Sequence, residues 1–261
     1  MDRRGLLRST AAVGAAGATV WGAGSAAAHG RREQWRERRE GLEGFEGLEG
    51  QKERAGGRGR GPLRVHVVVF DGVEELDFAG PVEVFGAARS VGQKVETRLV
   101  TSGGPGGFTG RFGTRVTDVG AWDPDAADVI VVPGGGFAQR DGAGIWAEIK
   151  KGRLTRALRE AARPDLTLLG VCTGVIVLHA AGVVGDRPCT THHRAKDYLR
   201  ERGADVRDAR VVDDGNLVCA GGVSSGIDGA LWLLERALGA APTGQVEALM
   251  EFERRGTVLR T

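Results

Sequence analysis

The sequence predicts a single α/β domain in which a mostly parallel sheet lies between two layers of helices, a three-layer sandwich. The first observation is a series of short apolar runs, separated by glycine-rich loops, that begins at residue 63. These runs are β-branched or leucine-rich and rarely alternate with polar residues, as in strands buried on both faces of a parallel sheet. The second observation is that helical stretches separate the runs, and this alternation is typical of a doubly wound sandwich.

The predicted elements follow one another from residue 63 to about residue 255. Residues 209–222 add a hairpin signal, because Asp214-Gly215 can form a tight turn between two apolar arms. Pro81 is expected at the first position of its helix, where its missing N–H costs nothing. The predicted strands are 64–70, 95–101, 128–133 and 166–171, and the predicted helices are 81–91, 145–162, 174–181, 194–202 and 227–238.

The segments outside this domain differ in composition. Residues 1–28 contain a twin arginine, a weakly apolar stretch and a small-residue end, which predicts a twin-arginine-type signal peptide and an exported protein. Residues 29–62 are rich in Arg, Glu and Gly and have too little apolar surface to fold, so we expect a disordered linker. Residues 256–261 are expected to be a tail. Glycines interrupt the apolar stretch, so it is not expected to span a membrane. No stable membrane insertion is expected after the signal is cleaved.

Charge and cysteine content exclude several classes of protein. The net charge is +2 over 261 residues, with the basic residues crowded toward the N-terminus, so no nucleic-acid surface is indicated. The three cysteines form no Cys-x-x-Cys pair, which predicts neither a disulfide framework nor a zinc site. No metal and no cofactor are expected. A disulfide between Cys189 and Cys219 is conceivable in an exported protein, but buried reduced thiols are the favoured interpretation.

Cys172 is the strongest candidate for a catalytic residue. In the stretch TLLGVCTGVIVLHAAG it comes directly after a predicted strand and directly before a predicted helix. A sharp turn of this kind exposes the side chain at the edge of the sheet, and the helix N-terminus favours the thiolate. The alternative is an inert cysteine that fills the core, since free cysteines are among the most buried residues.

Two other loops are expected at the same sheet edge. The run VVPGGG ends a strand with glycines, and the N–H groups of Gly134 and Gly135 could stabilise negative charge, although such a loop is often only a turn. Asp77 is expected in a loop before the helix at Pro81, as a general acid or base or as a local capping residue. Glu83 falls in the predicted first turn of that helix, where the helix dipole favours a carboxylate.

Three polar residues later in the chain are candidates for tuning the site. His192 and His193 follow Thr190-Thr191 at a predicted strand end, where an imidazole could approach the sulfur and adjust its charge. The alternative for His192 is a structural role as a helix cap. Asp228 is expected on a helix near the site, again with a structural alternative as a hydrogen-bond anchor.

Five motifs in this order resemble one known family. They are ELDFAGPVEVF, VVPGGG, GVCTG, TTHHRAKDYL and GGVSSGIDGAL, and together they resemble the PfpI-type family, also written DJ-one/PfpI, over nearly all of residues 63–251. The resemblance implies the class I glutamine-amidotransferase-like fold, a flavodoxin-like sandwich. Within the family the sequence is most similar to the isonitrile hydratase branch, which shares the Leu-Asp-x-x-Gly-Pro segment, the Cys-Thr pair and the Gly-Ile-Asp stretch.

The resemblance also implies roles for individual residues. Cys172 would be the nucleophile and Asp77 the general acid/base, while Thr173 would steady the thiolate or the attacking water and Gly135 would offer its N–H to developing charge. A homodimer is implied as well. Thr173 stands where the family's proteases have histidine, which makes peptidase activity unexpected, and no His-x-Glu segment of a glutamine amidotransferase is present.

The expected function is hydration of an isonitrile, a small-molecule electrophile, to an N-substituted formamide through a thioimidate on Cys172. Two alternatives stay open. The glyoxalase or deglycase branch has a glutamate near the position of Asp77, and this chain offers Glu74 and Glu75 just before it. A thiol redox or ligand sensor is the non-catalytic alternative, since an activated thiol is readily oxidised.

Overall fold

A nine-stranded sheet forms the centre of the computed structural model, which describes residues 61–261. The predicted signal peptide at 1–28 and nearly all of the predicted linker at 29–62 lie outside the described residues. The strands of this sheet are β1 (Leu63–Val68), β2 (Val95–Thr101), β3 (Gly106–Thr109), β4 (Arg115–Ala121), β5 (Val129–Val132), β6 (Thr167–Val171), β9 (Val211–Asp214), β10 (Leu217–Ala220) and β11 (Val258–Arg260). Their spatial order is β11-β9-β10-β6-β5-β1-β2-β4-β3.

The parallel strands at the centre of the sheet carry its apolar core. β5 has the sequence VIVV and is buried along its whole length, as expected for a strand covered on both faces. It pairs in parallel with β1 and with β6, in a register that sets Val131 beside Val67 and Leu169. Because β1, β5 and β6 run in the same direction, their carboxyl ends meet at one edge of the sheet, and the loops that follow them meet there too.

Helices cover the sheet in two groups. The first comprises α1 (Glu75–Ser90), α6 (Ser225–Leu238) and α7 (Ala240–Met250), which contact one another. The second comprises α2 (Ile145–Lys151), α3 (Arg153–Ala161) and α4 (Gly174–Ala180), which also pack together. The short α5 (Lys196–Arg200) lies beside a small parallel pair, β7 (Pro188–Cys189) and β8 (Asp205–Val206). The predicted three-layer α/β sandwich with a mostly parallel sheet is confirmed.

The first helix begins earlier than predicted. It starts at Glu75, so Pro81 lies inside it rather than at its first position. A proline at this point removes one backbone hydrogen bond. The helix continues because it packs closely against α6: a side chain at Gly80 would collide with Ile227, and Pro81 lies beside Gly226. Asp77 therefore belongs to a helical turn and not to a loop.

Other element boundaries also differ from the sequence prediction. The helix expected at 145–162 is divided at Gly152, which adopts a left-handed conformation (φ 70°) between α2 and α3. The predicted hairpin is confirmed, since β9 and β10 pair antiparallel, but Asp214 pairs with Leu217, so the turn is formed by Gly215-Asn216 and not by Asp214-Gly215. The segment 256–261, expected to be a tail, contains β11, which pairs in parallel with β9. The domain therefore continues to the last strand, and residues 61–261 form one unit.

A search of residues 61–261 for a helix both long enough and apolar enough to cross a membrane finds none.

The close contact between β5 and the start of α4 makes a testable prediction. A Cβ atom at Gly174 would overlap the carbonyl oxygen of Val132 and lie 2.7 Å from the Pro133 carbonyl carbon, and both contacts are backbone that cannot easily move. We expect Gly174→Ala to lower the free energy of unfolding by about 2 kcal/mol or more, as other overpacked core variants do. The measurement is urea unfolding.

Gly86 provides the matched control. It lies in the interior of α1, is exposed, and has open space where a Cβ atom would be placed. Gly86→Ala should raise the free energy of unfolding by about 0.5–1 kcal/mol, because alanine loses less backbone entropy in a helix. Equal stability of the two variants would contradict the close approach of β5 and α4.

Candidate active site

Cys172 lies at the sharp turn between β6 and α4 in a strained backbone conformation. Its φ is 56°, in the left-handed region that residues with a side chain rarely adopt. Its N–H contacts two carbonyl oxygens, of Ala220 at 3.0 Å and of Gly221 at 2.8 Å. Its own carbonyl accepts a 2.7 Å hydrogen bond from the Thr191 hydroxyl. These contacts fix the turn, so the predicted position of Cys172 on a strand-to-helix turn is confirmed.

The Cys172 sulfur lies in a largely buried environment that favours the neutral thiol. The residue is only 5% exposed. Burial raises the pKa of the thiol, and the charges of Asp77 and Glu74 raise it further, while the backbone N–H of Thr173 acts in the opposite direction. From the sequence, the helix N-terminus is expected to favour a thiolate. In the structure the cost of burying charge exceeds that effect, so the resting group is a thiol.

Asp77 lies in the first turn of α1, is fully buried, and faces the sulfur. Its Oδ2 accepts a 3.0 Å hydrogen bond from the Gly134 N–H. Its Oδ1 has no well-aligned hydrogen-bond partner among the described residues, and the Cys172 thiol is one of the neighbouring groups that affect its pKa. Burial raises the pKa of Asp77 to about 7, against smaller lowering effects of Gly134 and Cys172. The carboxyl group can therefore exchange a proton near neutral pH.

The glycine loop after β5 joins Asp77 to Thr173. The Gly134 N–H is taken by Asp77, and the Gly135 N–H donates to Thr173 Oγ1 at 3.1 Å. In this state neither N–H is free for the charge-stabilising role expected from the sequence. The next residues, Gly136, Phe137 and Ala138, line the same cavity, and their N–H groups make no hydrogen bond within residues 61–261. These N–H groups are available backbone donors of this loop.

Thr173 holds the loop in position through its side chain. It is 2% exposed, and its hydroxyl oxygen accepts from Gly135. Its hydroxyl hydrogen has no acceptor among the described side chains and backbone groups, so it is available to a bound molecule. Replacing Gly134 by a residue with a side chain would bring a Cβ atom within 2.6 Å of the Thr173 nitrogen. The loop after β5 can therefore lie this close to the turn after β6 only because Gly134 has no side chain.

A cavity of about 100 Å³ opens above Cys172 and Thr173. Most of its wall comes from residues that the sequence analysis did not single out as site residues. Charged side chains from three separate loops lie at its edge, and apolar atoms cover part of its side. Its remaining lining residues are Glu74, Arg111, Gly135, Gly136, Phe137, Ala138, His192, Arg194 and Val223. The cavity is small enough to favour a compact ligand.

The charged residues of the wall have one ion pair between them. Arg111, in the turn between β3 and β4, donates to Glu74 Oε2 at 3.0 Å. Glu75 accepts from the backbone N–H of Phe112 at 2.7 Å and so fixes the same turn to the start of α1. Neither Glu74 nor Glu75 takes the place of Asp77 beside the sulfur, because both are occupied by the turn.

Of the two roles considered from the sequence, His192 takes the structural one in the described fold. Its Nδ1 accepts a 3.2 Å hydrogen bond from the Arg194 N–H and so caps the short helical turn His193–Ala195. It also lines the cavity. Burial lowers its pKa, and the positive groups His193, Arg194 and Arg111 lower it further. The imidazole is therefore neutral near pH 7.

Two predicted tuning residues lie elsewhere. Glu83 is exposed in the middle of α1, because that helix begins two turns earlier than expected. Asp228 is buried, but its carboxylate pairs with Arg210 at 2.7 Å and accepts from the Arg255 N–H at 2.8 Å. It anchors the C-terminal segment to α6, as in its structural alternative. Neither residue lines the cavity above Cys172.

The other two cysteines are free and buried. Burial raises the pKa of both Cys189 and Cys219, so each is an unreactive thiol in the described fold. The structure pairs neither of them in a disulfide. Among residues 61–261, no three His, Cys, Asp or Glu side chains converge as a metal-binding group would require.

Comparison with known proteins gives a consistent picture. The model of the DJ-1/PfpI family matches residues 63–236. The chain is 31% identical to an isonitrile hydratase of Pseudomonas putida over 191 residues, which is 73% of this chain and 78% of that protein. It is 30% identical to a deglycase of Thermococcus kodakarensis over 159 residues, 60% of this chain and 88% of the relative.

Solved structures show the same fold at lower identity. A ThiJ/PfpI family protein from Pseudomonas syringae superposes with a TM-score of 0.65 at 21% identity and covers 75% of this chain and 77% of its own. Schizosaccharomyces pombe DJ-1 superposes with a TM-score of 0.61 at 19% identity, covering 73% of this chain and all of its own. These likenesses establish the sandwich and its topology.

The burial of Asp77 predicts a dependence of stability on pH. Its pKa is raised from 3.8 to about 7 in the fold, so the folded state holds the proton more tightly than the unfolded chain does. Protonated Asp77 therefore contributes stability that is fully present below about pH 4 and is lost as pH rises through 7, on the order of 4 kcal/mol in full. Asp77→Asn keeps an oxygen for Gly134 and does not ionise. Its free energy of unfolding, relative to that of the wild type, should therefore rise by about 2–3 kcal/mol from pH 5 to pH 8.

Denaturant unfolding at the two pH values measures this gain. Asp186→Asn is the control, because Asp186 is exposed and makes no ion pair among the described residues. The difference in free energy of unfolding between Asp186→Asn and the wild type should be the same at pH 5 and at pH 8. A constant difference for Asp77→Asn as well would show that Asp77 ionises as easily in the fold as in the unfolded chain.

Proposed function

This chain belongs to the DJ-1/PfpI family, and from that premise we propose that it is a cysteine-dependent enzyme that adds water to isonitriles. The observation that carries the proposal is the pairing of the Cys172 thiol with a buried carboxyl group, Asp77, whose pKa is about 7. A nucleophile and one group that can both give and take a proton are what this hydration needs. The similarity to the Pseudomonas putida isonitrile hydratase supports the choice of substrate class.

The first step is addition of the thiol across the isonitrile carbon. Ionised Asp77 accepts the thiol proton through Oδ1, the carboxyl oxygen that no other hydrogen bond occupies. A bond forms between sulfur and the terminal carbon, and Asp77 returns the proton to that carbon. The product is a thioimidate in which carbon carries hydrogen, sulfur and the doubly bonded nitrogen. The free N–H groups of Gly136 and Phe137 are suited to stabilise charge during this step.

The second step releases the product. Water adds to the thioimidate carbon while Asp77 takes one of its protons and passes it to the nitrogen, so the carbon then carries hydroxyl, hydrogen, sulfur and an N–H group. The carbon–sulfur bond then breaks as Asp77 takes the hydroxyl proton and gives it to the sulfur, and the oxygen left on carbon becomes the carbonyl of an N-substituted formamide. Overall one isonitrile and one water give one formamide, and Cys172 and Asp77 return to their starting states.

Two features of the site weigh against the alternatives. Deglycase relatives favour dicarbonyl chemistry as the second candidate. Against it, Glu74 and Glu75 are held by the Arg111–Phe112 turn, and the carboxyl group beside the sulfur is an aspartate. A redox sensor needs an accessible thiolate, whereas burial raises the pKa of Cys172. The homodimer implied by the family resemblance stays a prediction.

The proposed reaction is tested with small alkyl and aryl isonitriles and with methylglyoxal, by following formamide and lactate. We expect formamide from the wild type, no detectable turnover by Cys172→Ala, and a loss of at least ~100-fold in kcat for Asp77→Asn. Because the carboxylate form of Asp77 starts the reaction, kcat/KM should rise as pH passes through about 7 and then level off. His192 does not account for this rise in kcat/KM, because its pKa is lowered.

Matched outcomes separate the candidates. Lactate without formamide would replace the hydratase with a glyoxalase-type enzyme. Activity that survives in Asp77→Asn would remove Asp77 from the mechanism, and a pH profile that stays flat between pH 5.5 and pH 8.5 would do the same. Asp186→Asn, at an exposed residue away from the cavity, is the control for nonspecific effects of charge.

We also propose export through the leader at residues 1–28. The support is its Arg3-Arg4 pair, which a twin-arginine route requires. Replacing both arginines by lysine should keep the full-length chain inside the cell, as seen by fractionation and the mass of the protein, while the wild type is recovered outside the cytoplasm without its first 28 residues. Cytoplasmic wild-type protein with an intact N-terminus would overturn the proposal.

A further inference from the structure

Two arginines at the mouth of the cavity define a second, recognition part of the site. We propose that the substrate carries an anionic group, a carboxylate, which Arg194 and Arg111 bind while its reactive carbon meets Cys172. Both guanidinium-bearing residues line the cavity above the sulfur. The inference rests on the proposed hydration of isonitriles and specifies which isonitriles the site accepts.

Arg194 is the principal anion-binding residue. It is exposed, and its side chain makes no ion pair or hydrogen bond with any of residues 61–261. Its backbone is nevertheless fixed, because its N–H donates a 3.2 Å hydrogen bond to His192 Nδ1 at the start of a helical turn. The guanidinium group therefore presents a full charge and five N–H donors at the cavity without an internal partner. Such a group is suited to grip a carboxylate with two parallel hydrogen bonds.

Arg111 lies on another loop and has donors to spare. Its Nη1 donates to Glu74, and its other guanidinium nitrogens make no hydrogen bond with the described residues. Glu74 is mostly covered, with 12% of its side chain exposed, whereas 38% of the Arg111 side chain is exposed. The ion pair orients Arg111 and leaves its outer edge open. Arg111 lines the same cavity as Arg194 and can thus contact the same anion.

The balance of charge around the mouth favours an anion. Glu74 offsets one of the two arginines, which leaves one positive charge uncompensated by the lining residues. His192 adds no charge at pH 7, since its pKa is lowered in part by these same arginines. All three residues line the same small cavity. The remaining wall, from Phe137 and Val223, is suited to a small apolar body between the two ends of the substrate.

A matched pair of substrates tests the anion site. Isocyanoacetate carries the carboxylate, and its methyl ester keeps the isonitrile but loses the charge. We expect wild-type kcat/KM to be about 10-fold or more higher for the acid at low ionic strength, as a charge-assisted bidentate contact implies. The preference should fall with added salt. Arg194→Gln should reduce it to about 2-fold or less through a higher KM for the acid, and Arg111→Gln should reduce it in part.

Arg156 supplies the control for loss of a positive charge. It is exposed on α3 and makes no ion pair within the described part of the chain. Arg156→Gln should keep the full preference for the acid. Equal kcat/KM for acid and ester in the wild type would overturn the anion site and leave the hydratase standing. A preference that persists in Arg194→Gln would overturn the assignment of Arg194.

Alkylation of Cys172 tests the same site without any isonitrile. Iodoacetate and iodoacetamide are similar in size and differ in charge, and peptide mass analysis locates the modified cysteine. Relative to glutathione, Cys172 should favour iodoacetate about 10-fold, and Arg194→Gln should lose this preference. If neither isonitrile is turned over while the preference for iodoacetate is present, the hydratase fails and the anion site stands. If both signals are absent, both proposals fail.

Discussion

The hydrogen bond from the Gly134 N–H to Asp77 Oδ2 is the contact on which the site depends. It joins the first turn of α1 to the loop after β5 in a place that water does not reach. The next peptide group continues the connection, because Gly135 donates to the Thr173 hydroxyl on the turn after β6. Three segments that are distant in the sequence are thereby held together through neutral donors and one carboxyl group. The sulfur and the carboxyl are placed without an ion pair between them.

The same burial decides the protonation states. Ionised Asp77 and a Cys172 thiolate would be two like charges in a dry site, so each raises the cost of the other. The resting pair therefore keeps the thiol proton, and in the proposed reaction the nucleophile forms only as this proton is taken. A helix N-terminus beside the sulfur is not enough to reverse this, since α4 has only seven residues and burial has the larger effect on the thiol. The proposed reaction therefore starts with proton transfer between two buried neighbours and not from a preformed thiolate.

Local features of the fold could be predicted from the sequence. The apolar run of β5, the β9–β10 hairpin and the position of Cys172 between a strand and a helix follow from residue type and spacing, although the hairpin turn lies one residue later than predicted. The start of α1 could not, because Gly80-Pro81 has the pattern of a helix beginning. Packing of that pair against α6 overrides the pattern, and the error moved Asp77 into a loop and Glu83 into a first turn. The strand β11 was missed since three residues carry too little periodicity to indicate a strand.

The rim of the cavity was missed for a different reason. Arg111 and Arg194 are exposed residues on loops 83 positions apart, and a single arginine in such a loop is most often only solvated. Only the fold brings them to one opening. The chemistry of the site depends on buried contacts of Asp77, Gly134 and Thr173, whereas recognition depends on exposed side chains that those contacts do not constrain. Similarity to a relative at 31% identity therefore informs on the reaction at the sulfur more than on the group at the far end of the substrate. For the far end of the proposed substrate, the positive charge at the rim is therefore stronger evidence than the similarity to the relative.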